Sequence, residues 1–181
     1  MLTDLQKKKW TYMFDYLDTR DNGFITKKDF ENEADRFAKH LDLDPKSEVY
    51  NKLLTLFIAD WDNVQKNVGT NKDGQISLDD WLKHAHILIN DDEMYETNHK
   101  IADTFFDIFD QNGDDSLCVK EFSVFMKAWG FSEKEIELGL LKLNLEEGNN
   151  LSREQFKKIC EQFAKSSHPD SFGNHVLGSC H

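Results

Sequence analysis

The chain has 181 residues, a formal net charge of -12 and 39% hydrophobic residues, enough for one globular domain or two closely packed halves. Fourteen Phe and four Trp against two Pro favour a helical body with a bulky aromatic interior over a disordered chain. So acidic a balance argues against a nucleic-acid partner, whose phosphates it would repel, and suits a protein that collects cations.

The opening Met1-Leu2-Thr3-Asp4-Leu5-Gln6-Lys7 lacks an apolar core of signal-peptide length, and position 2 is not Gly. No later stretch approaches the roughly 20 apolar residues of a membrane span. A cytoplasmic protein with neither an integral membrane segment nor a myristoyl anchor is expected. Cys118, Cys160 and Cys180 are odd in number and have no CxxC spacing, so free thiols are expected rather than disulfides or a zinc site.

Along the chain, an aromatic-studded helical stretch, a polar loop, one aliphatic residue and a second helical stretch recur four times. The first helix opens on a capping box of Thr3 with Gln6 and carries Trp10, Met13, Phe14 and Leu17 on one face. Beyond the first loop Phe30, Ala34, Phe37 and Leu41 repeat at spacings of three or four. Asp44 before Pro45 predicts the start of the next helix. Ile101, Phe105, Phe106 and Phe109 precede the third loop, and Phe122, Phe125, Met126 and Trp129 follow it. Gly130 reads as a helix stop, and Ser132 with Glu135 as a second capping box. The aliphatic marks Ile25, Ile76, Leu117 and Leu151 are each followed five residues later by Phe30, Trp81, Phe122 and Phe156.

This spacing fits the twelve-residue EF-hand loop, with oxygen side chains at 1, 3 and 5, a sharp bend at 6, a backbone carbonyl at 7 and a carboxylate at 12. The third loop, Asp110 to Glu121, supplies Asp110, Asn112, Asp114, the Ser116 carbonyl and a bidentate-capable Glu121. Its bend residue is Asp115, which must take positive φ. Cys118 at position 9 is too soft to ligate a hard ion. The first loop, Asp18 to Asp29, offers Asp18, Asn22, the Phe24 carbonyl and Asp29, with Gly23 at the bend and Thr26 at position 9. Arg20 stands at position 3, where a guanidinium cannot ligate; it is expected to project to solvent and leave water in its place. Asp29 is a methylene shorter than Glu, which moves selectivity toward magnesium.

The second loop, Gly69 to Asp80, keeps Asn71, Asp73, the Gln75 carbonyl and Asp80, but Gly69 removes the first carboxylate. A structural loop, or else a weak or magnesium-type site, is expected. The fourth, Asn144 to Gln155, retains only Glu146 among acidic ligand positions, with Gly148 at 5 and Asn149 at the bend. It is expected to be silent, with Leu151 still pairing with Leu117. The fold class expected is all-α: four EF-hand units packed as two pairs, 1–91 and 92–181, into one compact globule, with short β-bridges between paired loops.

The chain resembles the sarcoplasmic calcium-binding proteins, and within them the invertebrate calexcitins. The resemblance rests on the four-loop order with a degenerate fourth loop, on Asp29, on the long stretch Asp42 to Val68, and on the tail Gly173-Asn174-His175-Val176-Leu177-Gly178. It implies two EF-hand pairs facing each other across an aromatic interior, in a calcium and magnesium buffer or a calcium-dependent signalling protein with a protein partner. Arg20 and Gly69 depart from that family's pattern of three competent loops.

Only Met1, Met13, Met94 and Met126 are present, which favours a buffer over a sensor that opens a Met-rich groove. The alternative is a luciferin-binding or photoprotein-like protein with a ligand in its aromatic cavity, lined from Trp10, Trp61, Trp81, Trp129, His84, His86, His99 and His175. No GxSxG, P-loop or zinc-ligand pattern occurs, so no catalysis is expected. A monomer is expected.

Overall fold

The computed structural model describes residues 1–171, 173 and 174, and for 92–99 the backbone alone. The chain divides into two compact units, Met1–Tyr95 and Glu96–His181. In the first unit, α1 (Asp4–Leu17), β1 (Phe24–Ile25) and α2 (Lys27–His40) form one helix-loop-helix; α3 (Glu48–Val68), β2 (Ile76–Ser77) and α4 (Leu78–Asn90) form the next. The second unit is built from α5 (Asp92–Phe109), which crosses the unit boundary, then β3 (Ser116–Leu117) and α6 (Val119–Ala128). It continues with α7 (Glu133–Leu143), β4 (Leu151–Ser152) and α8 (Arg153–Lys165).

Each pair of loops is joined by a two-residue antiparallel ribbon. Ile25 faces Ile76 and Leu117 faces Leu151, all four buried. The aliphatic residue at position 8 therefore has two tasks: its backbone closes the ribbon and its side chain plugs the core below. Paired loops cannot move independently while that ribbon holds.

Both capping boxes form as the spacing predicts. The Thr3 amide donates to Gln6 Oε1 at 2.9 Å, and the Ser132 amide to Glu135 Oε2 at 2.8 Å. The helix predicted to open at Pro45 starts later. Ser47 caps α3, its hydroxyl accepting from the Tyr50 amide at 3.1 Å. Asp44 instead builds a turn, accepting from the Lys46 amide on its side chain and from the Ser47 amide on its carbonyl, both at 2.8 Å. A local side-chain bond to the backbone competes with helix initiation and wins here.

Edge-to-face and tilted ring contacts fill the interior of each unit. In the first, Phe37 meets Phe57 at 5.2 Å, Phe30 meets Trp61 at 5.6 Å, and Trp10 meets Trp81 at 5.5 Å. In the second, Phe125 lies 5.0 Å from Phe156 and 5.2 Å from Phe109. Such pairs contribute about 0.5–1.5 kcal/mol each beyond their burial. Met126 is fully buried among these residues, so it fills core and lines no groove.

Candidate metal centres

In the third loop the α5 C-terminus delivers Asp110 and the first turn of α6 delivers Glu121. Asp110 Oδ1 accepts from the Gly113 and Asp114 amides at 2.9 and 3.2 Å, and its Oδ2 from the Asp115 amide at 2.9 Å. Asn112 Oδ1 accepts from the Asp114 amide at 3.0 Å. The Ser116 hydroxyl and the Asn112 amide hold the Asp114 carboxyl below its ordinary pKa, so it is ionised wherever the loop could meet a cation. Buried Glu121 spans the loop, accepting from the Gln111 amide at 3.0 Å and the Cys118 amide at 2.9 Å. Both of its oxygens are thus held toward the loop rather than toward solvent. Asp115 takes φ of 60° at the bend, as the sequence requires.

The fourth loop braces the third. Arg153 lays its guanidinium on Asp115 Oδ1 at 2.8 Å and on Asp107 at 2.6 Å, over the Phe106 ring at 4.3 Å. Asn150 donates to the Ser116 hydroxyl at 2.9 Å. Neither contact is readable from loop spacing, because each runs between two different loops or their helices. The bend predicted at Asn149 sits one residue earlier: Gly148 has φ of 88°. Asn149 closes a tight turn onto the Glu146 carbonyl at 2.9 Å and donates its side chain to the Asn144 carbonyl. Gln155 serves as a helix cap, accepting from the Ser152 amide at 2.9 Å. The turn is contracted and its last residue is neutral.

The first loop differs from both. Asp18 Oδ2 accepts from the Asn22 and Gly23 amides at 3.0 and 2.7 Å, and Asn22 Oδ1 accepts from the Phe24 amide at 3.0 Å. Asp29 Oδ2 accepts from the Thr26 amide at 2.8 Å and the Thr26 hydroxyl at 2.6 Å. Arg20 does not project to solvent as expected. Its Nη2 donates to the same Asp29 oxygen at 2.8 Å and reaches the Thr26 hydroxyl at 3.3 Å. The physical reason is charge: Asp29 is buried, and a partner cation nine residues away lowers the cost of keeping it ionised. The other oxygens of both carboxylates, Asp18 Oδ1 and Asp29 Oδ1, are buried with no hydrogen-bond partner. Two orphaned anionic oxygens at positions 1 and 12 are a donor set that a divalent cation fits.

In the second loop, Gly69 takes φ of 71° as the C-cap of α3, which explains why no carboxylate stands there. The Gln75 carbonyl, meant for an ion, accepts from the Asn71 amide at 3.0 Å, and Asn71 Oδ1 accepts from the Asp73 and Gln75 amides at 2.9 Å. Asp80 is held by Lys83 and Ser77, both at 2.7 Å, and these bonds keep its pKa below the usual range. The loop satisfies itself. Across the described residues no three His, Cys, Asp or Glu side chains converge on one point; the sites depend on backbone and amide oxygens as well.

Among the candidate cavity residues, His84 is buried beneath Trp81, ring centroids 5.6 Å apart, with its Nδ1 3.1 Å from Asn67 Nδ2. Its Nε2 has no partner, and burial pushes its pKa down to about 4. His175 and most of the tail motif lie outside the described residues, as do the side chains of His99 and Met94. No helix among the described residues is long and apolar enough to cross a membrane.

No protein-family model matches the chain. Calerythrin from Saccharopolyspora erythraea is 22% identical over 166 residues, 90% of this chain and 94% of calerythrin. The sarcoplasmic calcium-binding protein of Hediste diversicolor is 26% identical over 131 residues, 72% of this chain and 73% of that protein. In fold, the amphioxus sarcoplasmic calcium-binding protein aligns with a TM-score of 0.70 at 19% identity, covering 98% of each chain. Okadaic acid binding protein 2.1 aligns at 0.79 and 15% identity, covering 98% of this chain and 97% of its own. The apoaequorin complex with (S)-HM-daCTZ aligns at 0.76 and 18%, covering 98% and 92%. Four loops in EF-hand order and an all-α body with two loop-joining ribbons give the chain an EF-hand fold, and its sequence is similar to calerythrin and to a sarcoplasmic calcium-binding protein.

Proposed function

We propose that the chain is a cytoplasmic calcium and magnesium buffer that binds ions at its first and third loops, with the second and fourth as structural partners. The observation that carries the reading is the contrast between loops: the first keeps two buried carboxylate oxygens without partners and the third keeps oxygen side chains at positions 1, 3, 5 and 12, whereas the second has Gly69 at position 1 and the fourth has Gly148 at position 5 and the neutral Gln155 at position 12. A buffer also suits the packing. The ring clusters around Phe37 and Phe125 are tightly interlocked, and the buried Met126 offers no adaptable surface to a target helix.

Saturating calcium should therefore leave the apolar interior covered, and 8-anilinonaphthalene-1-sulfonate should gain no fluorescence on calcium addition. A several-fold gain would point to a calexcitin-like signalling protein that opens for a partner. One observation favours a second reading, the buried His84 Nε2 without an acceptor beside Trp81 and Trp10: an aromatic ligand bearing a carbonyl or phenolate would satisfy it. Coelenterazine mixed with the calcium-free protein, then calcium, tests that directly; emitted light would establish the photoprotein-like alternative.

A further inference from the structure

We propose that Arg20 sets the ion selectivity of the first loop, by holding one oxygen of Asp29 away from the ion and so making the site magnesium-type. The inference rests on the reading that this loop takes a cation. Calcium in an EF-hand takes six to eight oxygens and relies on a carboxylate at position 12 that binds through both of its oxygens; magnesium demands six in a tight octahedron and keeps several waters. At Asp29 the two oxygens are not equivalent. Oδ2 already accepts three donors, from Arg20 Nη2, the Thr26 amide and the Thr26 hydroxyl, while Oδ1 is buried and unpartnered.

Asp18 repeats the asymmetry at the other end of the loop. Its Oδ2 is committed to the Asn22 and Gly23 amides, and its Oδ1 is buried without a partner. The loop thus offers one anionic oxygen from each carboxylate, together with Asn22 Oδ1 and the Phe24 carbonyl. Waters complete six positions readily and seven poorly. For Asp29 to bind through both oxygens the guanidinium must leave, and with it a charge-assisted hydrogen bond to a buried carboxylate. Arg20 is a positioning residue, with its side chain half exposed and no role as a ligand.

The test follows the Gly23 amide, which donates to Asp18 Oδ2 at 2.7 Å, by nuclear magnetic resonance during separate magnesium and calcium titrations. Wild type is compared with Arg20→Gln and with Thr26→Ala, which removes a second donor from the same oxygen. Thermal unfolding of the ion-free variants confirms that each is folded. In wild type, the Gly23 resonance should move with magnesium. In Arg20→Gln the calcium-to-magnesium affinity ratio at this site should rise at least tenfold, and in Thr26→Ala it should rise less, while the Cys118 amide of the third loop reports an unchanged ratio there. A Gly23 response with the same ratio in wild type and both variants overturns the role of Arg20 and leaves the site standing. A Gly23 resonance that ignores both ions in wild type overturns the magnesium assignment, and if Arg20→Gln is equally silent the site itself is refuted.

Discussion

The two units spread their unpaired polar atoms unevenly. Of the four buried side-chain atoms without partners among the described residues, three, Asp18 Oδ1, Asp29 Oδ1 and His84 Nε2, lie in the first unit and one, Ser171 Oγ, in the second. Their arginines differ in the same way. Arg20 sits on a residue at a ligand position, Asp29, whereas Arg153 sits on Asp107 and Asp115, which ligate nothing. One cation competes for a ligand and the other braces a loop. A basic residue near an acidic loop therefore has no fixed effect on ion binding; the oxygen it occupies decides.

The largest effect separating the units should be their response to acid. His84 has a folded pKa of about 4, lowered by burial, against about 6.5 when unfolded. Its contribution to stability is complete above pH 6.5 and is lost as pH falls toward 4, because the unfolded chain then binds the extra proton. Across that window the stability difference between wild type and His84→Phe should change by about 3 kcal/mol, measured by urea unfolding at each pH. Buried Glu33, pushed up to about 7 by desolvation, slopes the opposite way between pH 4.5 and 7, so wild type alone would conceal the effect. A His84→Phe difference that stays constant with pH would show that the imidazole is solvated.

Next in size, Glu121→Gln removes the anionic chelate that closes the third loop. Calcium affinity there should fall about 100-fold, roughly 2.7 kcal/mol, while the first loop keeps its own. Equal losses at both loops in a calorimetric titration would mean that the two sites are not independent.

The smallest effect should come from Arg153→Ala. Removing a partly exposed network with three carboxylates, those of Asp103, Asp107 and Asp115, and a ring should cost ion-free stability about 1 kcal/mol, seen as a lower midpoint in thermal unfolding. The calcium-to-magnesium ratio of the third loop should not move, in contrast to the effect expected at the first loop in Arg20→Gln. A shifted ratio would put Arg153 in the same class as Arg20 and remove the distinction between them.

Much of this was legible in the sequence, since the twelve-residue spacing and the period of the apolar residues are local properties. Ile25, Leu117 and Leu151 mark the ribbons, Asp115 takes the positive φ its position demands, and both capping boxes close. What escaped depends on choices between partners. Arg20 could face water or Asp29, and only the burial of Asp29 decides it. Asp44 could begin a helix or bond to its own backbone. Gly148 displaced Asn149 at the bend because a glycine adopts positive φ at less cost. Arg153 and Asn150 act across two loops, and no pattern within one loop could have named them.

Ion stoichiometry decides whether two loops of the four bind divalent ions. Equilibrium calcium binding by the full chain, without magnesium, should reach two ions per chain, falling to one in Glu121→Gln at calcium levels that saturate only the first loop. Three or four ions per chain in wild type would contradict the account, because the self-satisfied second loop or the contracted fourth would then have to open to a metal.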